Sequence, residues 1–406
     1  MYKKTTLDNG LRVLSYNIPQ ANSFALGLFV NSGSREDFQN HEGIAHFLEH
    51  SVFRRTKGKT SKKISQEFEN LGAYTNAFTT KETICFYVRA LPDNFQKIIK
   101  LLYDITINPI FLDKDIDKER KIINEELKSY YDDPEELILD YSDEIIFRNS
   151  NLSHPIIGTE QSLLNINKDE LERFHQLHLN AKNLIISIVS NIEHDKIIDI
   201  INKIFKLKNN SIFNNNRSIS TYKPENLIVE KDYAQNHFLF STRSCKFSDN
   251  EKYALSALSF LLGEGNSSIL NYSLREKFGL VYSVYSNLQF YSDTGVFSIY
   301  AGSENKNIDR IKSIIENEFY KLSQKQFSEK ELNLAKQQLK ASAIMSIENF
   351  SDLMQDIAKN EMMNQQYLNT NEIFNKIDEI SIDLLNELVE RYMKNDIWSK
   401  IIFKIT

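Results

Sequence analysis

Proline and glycine are scarce in this sequence, at 6 and 12 of 406 residues. That scarcity excludes collagen-like and linker-dominated chains. Cysteine is scarcer still: Cys85 and Cys245 stand far apart and match no metal-ligand or redox spacing. Two inert thiols in a reducing compartment are expected, not a disulfide. A basic excess is missing too. Lys+Arg of 49 against Asp+Glu of 55 gives a formal charge of −6, so there is no field to attract a nucleic-acid backbone. Long apolar runs are absent as well. The stretch around Tyr253 to Leu262 falls well short of the roughly 18 residues that span a bilayer. The opening Met1-Tyr2-Lys3-Lys4-Thr5-Thr6 runs directly into a strand-like segment, with no apolar region of a signal peptide. These absences lead us to expect a soluble, cytoplasmic protein with neither nucleic acid nor membrane as partner.

What remains is an ordinary globular mix, 41% hydrophobic and 26% charged, which excludes disorder. The length suits two or three domains. The first half opens with alternating runs, Leu11 to Tyr16 and Phe24 to Val30, that read as strands. A helix is expected from about Gly43 and another from Thr60 to Leu71, with Thr60 or Ser61 as N-cap and Gly72 in the left-handed position after its end. Tyr74 to Ala90 reads as one strand. Helical patterns follow at Asp93 to Thr106, Asp113 to Tyr131, Pro134 to Phe147 and Lys168 to His178, and then the apolar strand Leu184 to Val189.

An Asn-rich stretch, residues 213–222, breaks the pattern and reads as a surface linker. Beyond it the sequence restarts: strands Asn226 to Glu230 and His237 to Ser241, a helix from Asn250 to Leu262, then Leu280 to Tyr300 as two strands turning near Asp293-Thr294-Gly295. Helices fill the remainder up to a final strand, Trp398 to Ile405. Both halves, 1–212 and 223–406, therefore show one order of elements, which points to an internal duplication.

The run His46-Phe47-Leu48-Glu49-His50 carries the chemistry. Residues four apart on a helix lie one turn above each other, so His46 and His50 can aim two imidazoles at one cation. Glu49 stays near that face, as in the H-x-x-E-H inverzincin pattern. The alternative is two surface histidines with an ion-pairing glutamate. Catalytic zinc asks for a third protein ligand and an open position. The helix Asp113 to Tyr131 offers candidates: Ile116, Ile123, Leu127 and Tyr130 form its apolar stripe, and Glu119 and Glu126 border that stripe. Carboxylates beside a core face need a positive partner. A metal is one, and Arg120 beside Glu119 is another. Glu125 and Lys128 face elsewhere. His41 and His154 read as surface and turn, and His175 and His178 lack a carboxylate or thiol partner for a metal.

The run Glu42 to His50, with Glu119-Arg120 and Glu126 downstream, resembles the inverzincin zinc metallopeptidase family of pitrilysin, insulin-degrading enzyme and mitochondrial processing peptidase, in its short, dimer-forming type. The resemblance implies that Glu126 is the third zinc ligand and that Glu119 assists catalysis from behind the ligands. It implies that Gly72 to Thr79 is an edge strand that binds substrate by strand addition, with Asn76 and Ala77 as its contacts. Arg275 and Tyr282, seven apart in the second half, are similar to the family's substrate-holding Arg and Tyr motif. Ser51 and Arg55 stand where the family more often has Met and Gly, a difference expected to alter packing around the helix and not ligation. No glycine-rich loop of the non-catalytic processing-peptidase subunit is visible.

The implied fold is α+β, two structurally similar halves, each a mostly antiparallel sheet packed with helices, joined with a second copy as a clam-shell dimer. The first half is expected to hold one Zn2+ at His46, His50 and Glu126, and the second the Arg–Tyr motif. The implied function is that of a zinc metalloendopeptidase hydrolysing peptides or unfolded segments in a homodimer chamber, with Glu49 as general base on zinc-bound water and Glu119 as its helper. The competing expectations are a catalytically silent or peptide-binding partner subunit of the same family, and a zinc hydrolase acting on something other than peptides.

Overall fold

The computed structural model describes residues 1–207, 217–304 and 308–405. Residues 213–216 of the expected linker lie outside them. The chain forms two compact units, and neither is one continuous stretch of sequence. The first takes Met1–Ser129, His154–Asn216 and Ser346–Gln365; the second takes Tyr130–Ser153, Arg217–Met345 and Gln366–Thr406.

In the first unit the strands are β1 (Tyr2–Thr6), β2 (Arg12–Asn17), β3 (Phe24–Val30), the short pair β4 (Arg55–Thr56) and β5 (Lys59–Thr60), then β6 (Tyr74–Thr79), β7 (Ile84–Ala90) and β8 (Leu184–Ser190). Six of them make one sheet in the order β1-β2-β8-β3-β7-β6. Only β2 and β8 run parallel. Every residue of β3 and β8 is buried, as near-continuous apolar runs must be when both sheet faces are covered.

Helices α1 (Ile44–Ser51), α2 (Ser61–Asn70), α3 (Phe95–Ile107) and α4 (Asp113–Tyr131) follow the expected pattern. The helix Phe350–Asn364 comes from far down the chain and packs on β3 and β8. Gly27 makes room for it: a Cβ there would run into the Met354 sulfur and the Phe29 ring. Ser187 Oγ donates to the Met354 carbonyl at 2.8 Å. Glu361 on the same helix is buried, with Lys4 Nζ at 2.7 Å and Arg12 at 3.4 Å, so its charge is paired rather than stranded.

One expected strand, Tyr74 to Ala90, is instead the hairpin β6–β7. Its turn, Thr80-Lys81-Glu82-Thr83, has none of the glycine, proline or asparagine that marks turns in sequence. Thr80 Oγ1 accepts from the Thr83 N–H at 3.1 Å within it, and distant groups hold it as well. Ser34 and Arg35 donate backbone N–H groups to the carbonyls of Thr80 and Lys81 at 3.1 and 2.8 Å, and the buried Arg35 pairs with Glu82 at 2.6 Å.

The second unit repeats the plan. Its strands β9 (Asn226–Lys231), β10 (Asn236–Ser244), β11 (Ser283–Phe290), β12 (Gly295–Ser303) and β13 (Ser399–Ile405) form a sheet in the order β11-β12-β10-β13-β9. Only β13 and β9 are parallel. Phe238, Phe240, Phe297 and Trp398 belong to a core cluster of this unit. Helix α5 (Pro134–Ile146) comes from the first half of the sequence and joins Leu137, Ile138 and Ile145 to Leu239, Ile401 and Phe403. Asp133 caps it, accepting from the N–H groups of Glu135 and Glu136 at 3.0 and 3.2 Å. The helix expected over Asn250 to Leu262 is regular only over Glu251–Ser259 and then widens into a π turn, Phe260–Glu264.

Candidate metal centre

Helix α1 begins unusually. Gly43 stands before it at φ +92°, and a Cβ there would press on the Ile157 carbonyl, so only glycine fits. Asp37, buried and six residues ahead of Gly43, accepts from the N–H groups of Gly43 and Ala45 at 2.6 and 3.1 Å. A carboxylate at the start of a helix satisfies donors that have no intrahelical partner and complements the dipole. Burial nevertheless pushes the Asp37 carboxyl well above its ordinary range. Ile44, Phe47 and Leu48 are fully buried. That anchoring turns His46, Glu49 and His50 toward the opposite side of the helix.

Helix α4 supplies the other wall. Its stripe Ile116, Ile123 and Leu127 is buried as the periodicity predicts. Glu119 beside it is buried, while Glu126, two turns on, keeps its side chain 44% exposed. Glu125 and Lys128 pair with each other at 2.7 Å on the outside. Arg120 does not pair with Glu119. It binds Asp117 at 2.7 Å and the carbonyls of Leu163 and Ile166 at 3.0 and 2.6 Å.

The two helices bring His46, His50 and Glu126 together. Glu126 Oε2 lies 3.9 Å from His46 Nε2 and 3.6 Å from His50 Nε2, and the three donor atoms all fall within 4.8 Å of one another. A tetrahedral zinc with bonds of about 2.0–2.2 Å holds its ligand atoms about 3.3–3.6 Å apart. Two imidazoles and one carboxylate suit zinc in kind, and the separations of 3.6 and 3.9 Å lie at the top of that range and a little above it. Among the described residues this is the one group of three such side chains.

The protonation states agree with ligation. Burial, and then the neighbouring His50 ring, push the His46 imidazole down to about 3, so it is neutral, as a ligand must be. His50 Nδ1 lies 3.1 Å from Glu119 Oε2. A proton on Nδ1 is thus donated to a carboxylate, and Nε2 keeps its lone pair on the side of Glu126. Glu49 Oε2 accepts from Thr79 Oγ1 at 2.6 Å. Burial pushes the Glu49 carboxyl up, against the opposing pull of that hydrogen bond and of His50.

Asn76 and Ala77 lie on β6, the edge strand of the sheet. The Ala77 N–H is held by Asn76 Oδ1 at 2.9 Å. Arg275 and Tyr282 belong to the second unit. Both are exposed, Tyr282 at 79%, and Gly279 between them has φ +59°. His175 and His178 are spoken for within the protein: His175 Nε2 meets the Thr106 carbonyl at 2.7 Å, and His178 Nδ1 meets Ser32 Oγ at 2.8 Å.

Several supporting groups escaped the sequence reading. Thr79 closes the edge strand, yet nothing in its spacing ties it to Glu49. Asp37 lies six residues before Gly43 in no helical pattern. Arg54, whose guanidinium pairs with Glu119, follows the motif closely but reads as one more surface cation.

Two sequence profiles match the chain, one described as Insulinase (Peptidase family M16) over residues 12–160 and one as Peptidase M16 inactive domain over residues 165–339. An uncharacterized zinc protease of Rickettsia felis is 34% identical over 379 residues, covering 93% of this chain and 91% of the relative. The uncharacterized zinc protease YmxG of Bacillus subtilis is 30% identical over 400 residues, covering 98% and 97%. Among solved structures, a protease from Helicobacter pylori superposes with a TM-score of 0.92 at 23% identity, covering 100% of this chain and 99% of that one. At these distances a structural match speaks for fold alone. Among the described residues no helix is long and apolar enough to cross a membrane.

Proposed function

Because this chain belongs to the M16 peptidase family, the insulinase family, we propose that it is a zinc-dependent endopeptidase acting on peptides or unfolded segments. One observation carries the reading: two imidazole nitrogens converge on one carboxylate oxygen, at 3.6 and 3.9 Å, with Glu49 on the same helix. Zinc held by His46, His50 and Glu126 supplies a Lewis acid that polarises a carbonyl and acidifies water.

The protein's own groups do the rest. Glu49 accepts the proton of the attacking water and delivers it to the leaving amine. Thr79 fixes the Glu49 carboxylate in place, and burial raises its proton affinity toward the working range. Glu119 holds the His50 ring in one tautomer and one orientation. An extended peptide adds to β6, displacing the Asn76 side chain from the Ala77 N–H, and so lies along the edge nearest Glu49.

The active species in this proposal is a cytoplasmic homodimer. Arg275 and Tyr282, exposed in the second unit, then hold substrate for the zinc site of the other copy. Metal analysis of the wild type and Glu126→Gln, run beside digestion of a mixed peptide library, tests the reading. About one zinc per chain in the wild type, little in the variant, and cleavage by the wild type alone are expected. Cleavage that persists without metal would overturn it, and zinc uptake without cleavage would leave a peptide-binding subunit in its place.

A further inference from the structure

We infer that Arg54 and Arg55, directly after the metal helix, form a paired clamp on α4 that sets how tightly the metal is held. The inference rests on the metal-site reading above. Arg54 Nε pairs with Glu119 Oε1, and Arg55 Nε donates to Asp115 Oδ2 at 2.8 Å. Asp115 and Glu119 are four apart, one turn of α4, and therefore share a face. Both are buried. Glu126 lies two further turns along the same helix. Consecutive arginines thus grip α4 at two points on the approach to the ligand that it presents.

The backbone of the clamp is braced as well. The Arg55 carbonyl accepts from the Ile110 N–H at 2.9 Å, and Thr56 forms a β-bridge with Pro109, just before α4 begins. Phe53 packs against Phe86 with ring centroids 6.1 Å apart. The segment between α1 and β5 is therefore fixed at both ends, and the guanidinium groups translate that position into the spacing of the two ligand helices.

The two arginines act by different routes. Glu119 gives one oxygen to Arg54 and the other to His50 Nδ1, at 3.1 Å, so Arg54 reaches the imidazole through a single carboxylate. Partial burial leaves that pair less screened than a surface pair. Arg55 acts on the helix as a whole; its hydrogen bond holds the Asp115 carboxyl below the usual carboxylate range. Neither is needed merely to dock α4. The stripe Ile116, Ile123 and Leu127 and the bonds from Arg120 to two carbonyls keep the helix in place without them. Both are positioning residues.

Zinc affinity by chelator competition, measured beside the melting temperature of the metal-free chain, tests the clamp. Arg54→Ala should weaken zinc binding by about 10–100-fold, the usual effect of losing a partner behind a ligand. Arg55→Ala should weaken it less, and in either variant the loss of affinity should exceed what the fall in the metal-free melting temperature accounts for. Arg54→Lys should recover part of the affinity, and exchanging charges with Arg55→Asp and Asp115→Arg should recover it over Arg55→Asp alone. Wild-type zinc affinity in the doubly substituted Arg54→Ala, Arg55→Ala chain would overturn the clamp. So would an affinity loss that only tracks a fallen melting temperature and is not recovered by the charge exchange. A wild type that takes up no zinc would instead remove the metal reading itself, which is seen before any variant is made.

Discussion

The strand orders β2-β8-β3-β7-β6 and β9-β13-β10-β12-β11 are the same plan laid down twice, each with its parallel pair in the corresponding place. They differ in the helix between the first and second antiparallel partners. In the first unit that helix carries His46, Glu49 and His50. In the second, Glu251–Ser259 carries no histidine. There Ser259 Oγ donates to Glu264 at 2.5 Å, and Ser286 Oγ on the edge strand donates to the Ser259 carbonyl at 2.8 Å. The edge-strand hydroxyl there meets a helix carbonyl, where in the first unit the edge-strand Thr79 hydroxyl meets the Glu49 carboxylate. A scaffold repeated does not repeat its chemistry; that lives in the few side chains placed on it.

The largest expected effect separates the two units by activity. Glu49→Gln should lower kcat by about 10²–10⁴-fold while bound zinc, measured by metal analysis, stays at the wild-type level. Ser259→Ala, at the corresponding helix, should leave turnover close to wild type in the same assay. Near-normal peptidase activity in Glu49→Gln would break the comparison.

Next comes the covering of each sheet. Ile357 and Ile138 are fully buried, each on a helix lent by the other half of the sequence. Replacing either with alanine should destabilise by about 2–5 kcal/mol in urea unfolding. Amide exchange should show the loss in β3 and β8 for Ile357→Ala, and in β10 and β13 for Ile138→Ala. Unchanged protection of β3 and β8 in the first variant would contradict the packing described.

Acid should sharpen the contrast a little less. Burial pushes His178 of the first unit down to about 4, from an ordinary 6.5. Between those values the unfolded chain binds a proton that the folded chain refuses, so stability falls as pH drops from 6.5 toward 4. The full span is worth about 3 kcal/mol. His178→Asn should flatten that limb of the stability–pH curve, and an unchanged slope would assign acid sensitivity elsewhere.

The smallest effect concerns the second unit's share in activity. Tyr282→Phe should lower kcat/KM by about tenfold with zinc content unchanged. If chains pair as proposed, mixing Glu49→Gln chains with Arg275→Ala chains should restore activity, because a heterodimer then contains one site with every group intact. A mixture as inactive as its parts would rule out the shared site.

Sequence made local structure legible wherever neighbours in the chain decide it. Helix α4 falls on the residues that its periodicity marks, and the spacing within His46 to His50 puts two rings on one face. Strand β3 falls where it is expected, but as a run buried at every residue and not as the alternating one expected. What stayed hidden depends on residues far apart. The turn after β6 has no glycine, proline or asparagine; the Thr80 hydroxyl accepts from the Thr83 N–H within it, and Gly33 to Arg35 shape it from outside. Asp37 caps a helix from outside it. The Arg54–Glu119 pair could not be read because an arginine near a motif looks like any solvated cation, and Arg120, adjacent in sequence, looked the better partner. Helix Pro134–Ile146 is legible as a helix and Phe350–Asn364 only as part of a mostly helical remainder; which sheet each covers is legible in neither case.

That reciprocal lending has a consequence for synthesis. A ribosome delivers β8 long before Phe350–Asn364, so the first sheet waits with one apolar face bare until most of the polypeptide has emerged. Expressing either half from a separate gene fragment would leave one sheet without its lent helix for good, the first without Phe350–Asn364 and the second without Pro134–Ile146, an invitation to aggregation. The chain is thus committed to maturing as a whole, and no stop codon placed between the halves would yield two healthy products.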